Sequence, residues 1–448
     1  MNNQGPIRDA RTLGVPKMLI LGLQHMFAMF GATVLVPILV QGYGLPLSIQ
    51  TTLFFAGVGT LFFHVCTKLK VPAFLGSSFA YLGGFSAVAE LDSGIYAGMT
   101  GEEKLPYALG GIVVAGLLYL ILAGLIKLVG VHKVMRFLPP VVTGPIIILI
   151  GLSLAPSAIN NASTNWWLAI LSIAVIVAAN IWGRGMVKII PILLGVLIPY
   201  AVALVTRQVD FSGVAAADFV GLQPFVLAKF DLTSILVMAP IAIAAMMEHI
   251  GDMSAISATV EENFIEDPGL HRTLIGDGIA TSLAGMFGGP ANTTYGENTG
   301  VLELSQVFDP KVVRLAAIYA VVLSFSPKFA AVINSIPTAI IGGVSFILYG
   351  MISAIGVRNV VENRVDFTNS RNLIIAAVIM VCGLGFKIWG FNNEFSGLTF
   401  HIGGTDITLT SLAIAAIAGI ALNAILPGKD YEFGSDVTQG RSGDFGRY

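Results

Sequence analysis

Runs of about twenty apolar residues recur along nearly the whole chain, and no other feature leaves it so few folds. "LPYALGGIVVAGLLYLILAGLIKLV" (Leu105–Val129) is one of them. A helix needs about 20 such residues to cross the hydrocarbon layer of a bilayer. Inside that layer every backbone N–H and C=O must be satisfied within the protein, which leaves helices or closed barrels. Fourteen candidate spans can be drawn, near 18–41, 47–67, 71–91, 105–129, 138–158, 164–183, 187–206, 233–257, 270–287, 290–307, 312–333, 336–356, 372–390 and 409–427. The third and tenth are poor continuous helices, because "VPAFLGSSFAYLGGFSA" and "GGPANTTYGENTGVLEL" are rich in residues that favour turns and caps.

Composition agrees. Asp, Glu, Lys and Arg make up only 11% of the 448 residues, against about 25% in soluble domains. Mean hydropathy is +0.83. A net charge of −2 argues against a nucleic-acid partner through bulk charge. Cys66 and Cys382 stand singly in apolar surroundings, so packing is expected of them, not a disulfide or a metal site. The N-terminus is polar and basic with no A-x-A-like site after the first apolar run, so no cleaved signal peptide is expected.

If the N-terminus is cytoplasmic and the fourteen spans alternate, 19 of the 24 Lys and Arg fall on the cytoplasmic side and 5 on the other. This positive-inside bias sets the orientation, with both termini cytoplasmic. Dropping one middle span would invert everything after it. The tail from 428 to 448 is polar and Gly-rich, and is expected to be disordered and dispensable.

The chain repeats itself weakly. "LQHMFAM" in the first span matches "MEHIGDM" in the eighth, and "GSSFA" (Gly76–Ala80) in the third matches "NTTYG" (Asn292–Gly296) in the tenth. "PPVVTGPIIILIG" in the fifth matches "PTAIIGGVSFILYG" in the twelfth. Each pair is seven spans apart, and an odd number turns the second copy upside down. The fold class expected is therefore an all-α polytopic membrane protein of 14 transmembrane spans in two inverted 7-span repeats. Paired interrupted spans in such repeats point to a secondary transporter with its site near the midplane.

Broken backbone at Ser77–Ala80 and Thr293–Gly296 would leave N–H and C=O groups free for a ligand, with half-helix N-termini aimed at the same place. Glu297 begins one half-helix. A plain cap there could as well be Asn or Ser, without a charge. Glu248 and Asp252 share one face of the eighth span, being four apart, and His249 sits about 100° round from Glu248. Two carboxylates one turn apart repel in a low dielectric, which suits a proton carrier, and ionisable groups at membrane depth are functional candidates by default. The bland alternative is a polar network that pins helices. His25 and Asp277 read as supporting partners, and His64 as an ordinary packing or interfacial histidine. Phe79, Tyr295 and Tyr349 add aromatic faces. A planar ligand with several N–H donors and carbonyl acceptors fits this set, and a free anion fits it poorly.

The same residues carry a resemblance. "QHMFAMFGATVLVP" (Gln24–Pro37), "PAFLGSSFAY" (Pro72–Tyr81), "EHIGD" (Glu248–Asp252), "DPGLHRTLIGDG" (Asp267–Gly278), "NTTYGENTGV" (Asn292–Val301) and "GGVSFILYG" (Gly342–Gly350) resemble the nucleobase/ascorbate transporter family, nearest its bacterial uracil permease branch. The likeness runs from about residue 13 to 427. It implies short strands in broken spans three and ten. It implies a core domain at 17–130 and 231–334 and a gate domain at 131–230 and 335–427, with a cytoplasmic segment at 1–16 and the tail at 428–448. By motif match, Glu248 and Glu297 would bind the ring of the base, and the backbones of Phe79 and Gly296 would meet its oxygens. Ala32, Ser78, Tyr295 and Tyr349 would shape the pocket, with Glu248, Asp252, His25 and Asp277 coupling or supporting a proton.

The resemblance further implies uracil import by proton symport through alternating access, in the plasma membrane (the inner membrane of a cell that has two). It implies a homodimer through the gate domain and no cofactor, with sodium as the alternative coupling ion. Two positions depart from the uracil branch, which usually has His at Asp252 and Asn at Asp277. These aspartates look like the xanthine and urate branch, which usually has Gln at Glu297, so a purine base is the rival substrate. A passive channel is the rival class. No H-E-x-x-H, G-x-S-x-G or P-loop supports an enzyme.

Overall fold

The computed structural model describes residues 6–428, apart from 131–132, 135, 137, 394–396 and 403–404. The tail expected to be disordered lies, after Gly428, outside the described residues. The helices are α1 (Val15–Gly42), α2 (Ile49–Cys66), α3 (Leu82–Glu90), α4 (Gly101–Val129), α5 (Pro140–Ser163), α6 (Trp166–Ile181), α7 (Pro191–Val205), α8 (Leu232–Met238), α9 (Ile241–Val260), α10 (Leu270–Met286), α11 (Gly296–Ser305), α12 (Pro310–Ser324), α13 (Pro327–Asn334), α14 (Thr338–Glu362), α15 (Ser370–Asn393) and α16 (Ser411–Ile425). Strands β1 (Leu75–Ser77) and β2 (Asn292–Thr294) pair with each other, and β3 (Gly397–Ile402) pairs with β4 (Thr405–Thr410) as a hairpin.

Among the described residues, six helices are long and apolar enough to cross a membrane: α1, α2, α4, α5, α8 with α9, and α14. A seventh is α12 with α13, if that bent pair is one span. The chain is thus a helical, multi-pass membrane protein. Its surface carries bulky apolar side chains such as Leu128, Val205 and Ile425, which only lipid would favour at this density.

One stretch that reads as a continuous helix, 312–333, is broken instead. α12 and α13 meet at 88°, because Ser326 caps a new helix through its side chain and Pro327 starts it without an N–H. The stretch 187–206 is likewise interrupted before Pro191, after a short turn at Met186–Ile189.

The strands inside 71–91 and 290–307 set the architecture. They run antiparallel with Leu75 opposite Thr294, Gly76 opposite Thr293 and Ser77 opposite Asn292. Beyond them Ser78 N donates to Ala291 O at 2.8 Å and Tyr295 N to Phe74 O at 3.0 Å. A two-strand ladder leaves each strand's outer edge unpaired at a depth where unsatisfied groups are costly. Threonines from the preceding helices answer this on both sides. Thr60 Oγ1 of α2 accepts from Leu75 N at 2.8 Å and reaches Leu75 O at 3.2 Å. Thr281 Oγ1 of α10 accepts from Asn292 N and donates to Asn292 O, both at 3.2 Å.

These contacts are one arrangement made twice about an axis through the Gly76–Thr293 pair. The helices repeat it. A Cβ on Gly57 would lie 2.5 Å from Ala317 O, and one on Gly278 would lie 2.7 Å from Gly116 O, so α2 touches α12 as α10 touches α4. Small residues permit this approach where packing, not hydrophobic expulsion, holds helices together. The sequence match of "GSSFA" with "NTTYG" is out of step with the ladder by one residue. In the structure Ser78 corresponds to Tyr295 and Phe79 to Gly296.

The N-terminal segment is docked on this half of the molecule. Ile7 N donates to Gln306 O at 2.8 Å, Phe308 N to Ile7 O at 2.9 Å, and Ala10 N to Asp309 Oδ2 at 2.8 Å. Arg8 pairs with Glu262 and donates to Val260 O at 2.9 Å.

Candidate functional site

The ladder brings the two chain breaks side by side, and each strand hands over to a half-helix. After β1, a single turn at Phe79–Tyr81 leads into α3. After β2, α11 starts at Gly296 with no side-chain cap, and Glu297 lies in its first turn with its carboxylate turned back to its own N–H. A negative group is favoured there by the helix dipole and by the uncapped amides. Gly296 is exposed although its neighbours Ala291–Tyr295 are buried, and a Cβ on it would meet nothing within 4 Å. Open space therefore borders the start of α11.

α9 contributes the other carboxylates. Glu248, Gly251 and Asp252 lie on one face of that helix, and Gly251 is exposed with nothing near a Cβ built on it. The charges of Asp252, Glu297 and Asp277 are all close enough to act on Glu248. Asp252 has a local partner, since Thr294 Oγ1 donates to its Oδ2 at 2.7 Å. A strand residue thus holds a helix carboxylate beside the break. The His249 ring points away, as its 100° offset requires. Its Nδ1 lies 2.9 Å from Asp277 Oδ2 of α10, both side chains fully buried, in a direction bent from that of an aligned hydrogen bond. The Tyr81 and Tyr119 hydroxyls lie in the same buried patch.

Other candidate residues are placed less directly. Ser78 and Thr293 are buried beside the ladder, and their hydroxyls have no partner among the described residues. Ala32 is fully buried on α1. Tyr295 is buried across the ladder, where its hydroxyl donates to Ser77 O at 2.9 Å and Ser77 Oγ donates to Thr33 O at 2.8 Å. It shapes the site by fixing the strands. His25 is fully buried, and Asn298 Nδ2 bonds its carbonyl at 3.1 Å, with the His25 ring Nδ1 at 3.2 Å, so it ties α11 to α1 one residue from Glu297. Tyr349 of α14 is buried with its hydroxyl among Tyr43, Ser157 and Ser345. His64 is buried, with Nε2 at 2.8 Å from Ala73 O. Cys66 and Cys382 are free thiols.

Sequence reasoning missed Thr294, Thr60, Thr281 and Asn298. Thr294 alone carried a readable signal, because in a strand the adjacent Thr293 and Thr294 must face opposite ways. Three cavities of the structure lie elsewhere, including an apolar one walled by Phe30, Leu193 and Ile341. The site is marked by its chemistry and by the open space at Gly251 and Gly296. No group of three or more His, Cys, Asp or Glu side chains among the described residues could hold a metal.

The helical, multi-pass fold is that of a membrane protein, and its relatives make it a permease, not an enzyme. Residues 16–389 match the model of the permease family that covers xanthine and uracil permeases. The chain belongs to that family, the nucleobase/ascorbate transporters. It is 40% identical to the uracil permease of Bacillus caldolyticus, with 94% of each chain covered. It is 38% identical to that of Bacillus subtilis, over 90% of this chain and 91% of the relative. With that of Escherichia coli K12 it shares 36% over 90% of each. Two solved structures share the fold at low identity. The transmembrane domain of the cyanobacterial bicarbonate transporter BicA has a TM-score of 0.60 at 15% identity, covering 93% of this chain and 99% of that one. SLC26A9 has a TM-score of 0.62 at 11% identity, covering 91% and 64%.

Proposed function

We propose that this permease imports uracil with protons by alternating access. The observation that carries the proposal is the meeting of two inverted chain breaks with three carboxylates, Glu248, Asp252 and Glu297. Kinship at 36–40% identity with proteins named uracil permeases supports the substrate. Glu248 and Glu297 accept hydrogen bonds from the ring N–H groups, while the backbone N–H groups at Phe79 and Gly296 meet its carbonyl oxygens. Ala32, Ser78, Tyr295 and Tyr349 shape the pocket. Glu248, with Asp252 beside it, takes up a proton from outside, and the protonated pair tolerates a neutral ligand better than two bare carboxylates. His25 and Asp277 hold the surrounding network.

In this reading the chain has fourteen spans in two inverted repeats. The paired threonine clamps and the axis through Gly76 and Thr293 support it at residue level. Residues 17–130 and 231–334 form a core that moves against a gate at 131–230 and 335–427, through which two copies associate. The protein sits in the plasma membrane with both termini in the cytoplasm.

A purine base is the rival substrate. The observation that favours it is the pair of aspartates at the supporting positions, Asp252 on Thr294 and Asp277 on His249. Labelled uracil uptake into proteoliposomes under an inward proton gradient tests both readings. Uphill uptake with uracil outcompeting xanthine and urate is expected, with its loss in Glu248→Gln and Glu297→Ala. Wild-type accumulation by either variant would overturn the site, downhill flux alone would indicate a channel, and stronger competition by xanthine would favour the purine reading.

A further inference from the structure

A polar cavity of about 290 Å³ opens at the ends of α5, α14, α15 and α16, far in sequence from the carboxylate site. Arg136, Arg364 and Arg371 line it, with Asp366 as its one acid among the described residues and Asn363 and Asn423 beside them. The four charged groups differ in how far they are already engaged. Arg371 closes the end of α16, donating to Asn423 Oδ1 at 2.7 Å and Asn423 O at 2.9 Å. Asp366 is turned to its own loop, where Oδ1 accepts from Thr368 N at 2.8 Å and Thr368 Oγ1 at 2.7 Å. Those Thr368 bonds hold its carboxyl below the usual range.

Arg136 and Arg364 are uncommitted. Among the described residues neither guanidinium has an acidic or hydrogen-bonding partner, although both face a cavity that already holds Arg371. Arg364 is placed there by a left-handed backbone turn, φ 49°, just past the end of α14. The N-terminus of the 24-residue helix α5 also lines the cavity through Pro139 and Val141 and has no side-chain cap. Arg136 and Arg364 are exposed at the mouth of the cavity and Arg371 is half-buried in it, so three guanidiniums and one diverted acid beside an uncapped helix start give the cavity a positive potential that an anion would neutralise. Planar guanidinium forks match the oxygens of phosphate. Val361, Leu373 and Ile425 on the flanking helices are exposed and apolar.

We propose that this cavity binds the phosphate group of an anionic ligand. The group comes either from a phospholipid, whose chains would run along those apolar flanks, or from a soluble phosphate compound. The proposal does not rest on the uracil reading. It is tested on the purified full-length protein by native mass spectrometry with phosphatidylglycerol against phosphatidylcholine. Thermal unfolding in inorganic phosphate against chloride at matched ionic strength completes the test. Preferential retention of phosphatidylglycerol supports the lipid source, and stabilisation by phosphate supports the soluble one. Arg136→Gln/Arg364→Gln should weaken the interaction about 25-fold, at roughly fivefold per arginine near an anionic surface. Asp366→Asn should strengthen it. Uracil binding should stay unchanged in both variants. Equal retention of the two lipids with no phosphate effect would overturn the proposal, as would unaltered affinity in the double arginine variant. Should that variant fail to fold, an unchanged or weakened interaction in Asp366→Asn would overturn it equally.

Discussion

Replacing Gly76 by alanine is the sharpest test of the ladder. A Cβ at Gly76 would lie 2.3 Å from two carbons of the Tyr295 ring and 2.7 Å from its hydroxyl. Carbon atoms prefer about 3.5–4.0 Å, so the overlap exceeds 1 Å on a rigid group. The ring has little room to yield. It is 4% exposed, and its hydroxyl is bonded to Ser77 O in the strand that would be displaced. Overpacking of this kind costs about 1–3 kcal/mol, or roughly 5- to 150-fold in the population of the native arrangement. The strain falls one residue before Gly296, whose backbone is proposed to meet the ligand. Gly76→Ala should therefore lose uracil binding by tenfold or more in a detergent-phase binding assay and lower the melting temperature. Gly76→Ala/Tyr295→Leu, with a smaller and more pliable side chain opposite, should recover most of the melting temperature. If Gly76→Ala binds and melts like wild type, the ladder does not pack as described.

Three further outcomes follow from named contacts. Thr294→Val keeps the side-chain shape but removes the 2.7 Å bond to Asp252. Leaving a buried hydrogen-bonding group unpaired costs about 1–3 kcal/mol, so the melting temperature should fall, and on the proposed role of Asp252 uracil affinity should fall with it; Thr294→Ser should retain both. Gly278→Val should abolish monodisperse protein on size-exclusion chromatography, since its Cβ would lie 2.5 Å from Tyr119 Cβ. Gly83→Ala, with nothing within 4 Å, should be silent. Hydrogen bonds from Arg11 hold the Asp9 carboxyl well below the usual range. A depressed carboxylate contributes its full stabilisation above the unfolded pKa, about 3.9, and loses it as pH falls through the folded value. Amide exchange at residues 7–14, corrected for intrinsic rates, should show equal protection at pH 7 and 5 and less at pH 3. Equal protection at pH 3 would refute the role of Asp9.

Much of the candidate site was legible because chemistry at membrane depth is conspicuous. Glu248, Asp252 and Glu297 stood out as charges in apolar surroundings, and the poor helices around Ser77 and Thr293 stood out by their Gly, Ser, Thr and Asn content. The partners that organise them were not legible. Thr60 and Thr281 are ordinary helix residues until a strand edge lies beside them, and Asn298 reads as one more polar residue after Glu297. The break at Phe325–Ser326 was missed because hydropathy stays high through it, although Ser326-Pro327 is a helix-start pair.

The sequence by itself determined that the chain crosses a membrane many times, that its backbone breaks near Ser77 and Thr293, and which ionisable groups lie at membrane depth. Those are local properties, set by transfer energies and backbone preferences within some twenty residues. Only the tertiary structure decided which groups meet. The register of residues 75–77 against 292–294 is fixed by pairing across more than two hundred positions, and it shifted the apparent repeat by one residue. It also placed Thr294 on Asp252, Asn298 on His25, and the Tyr295 ring over Gly76. Such contacts depend on how two distant segments cross, and nothing within either segment encodes the crossing.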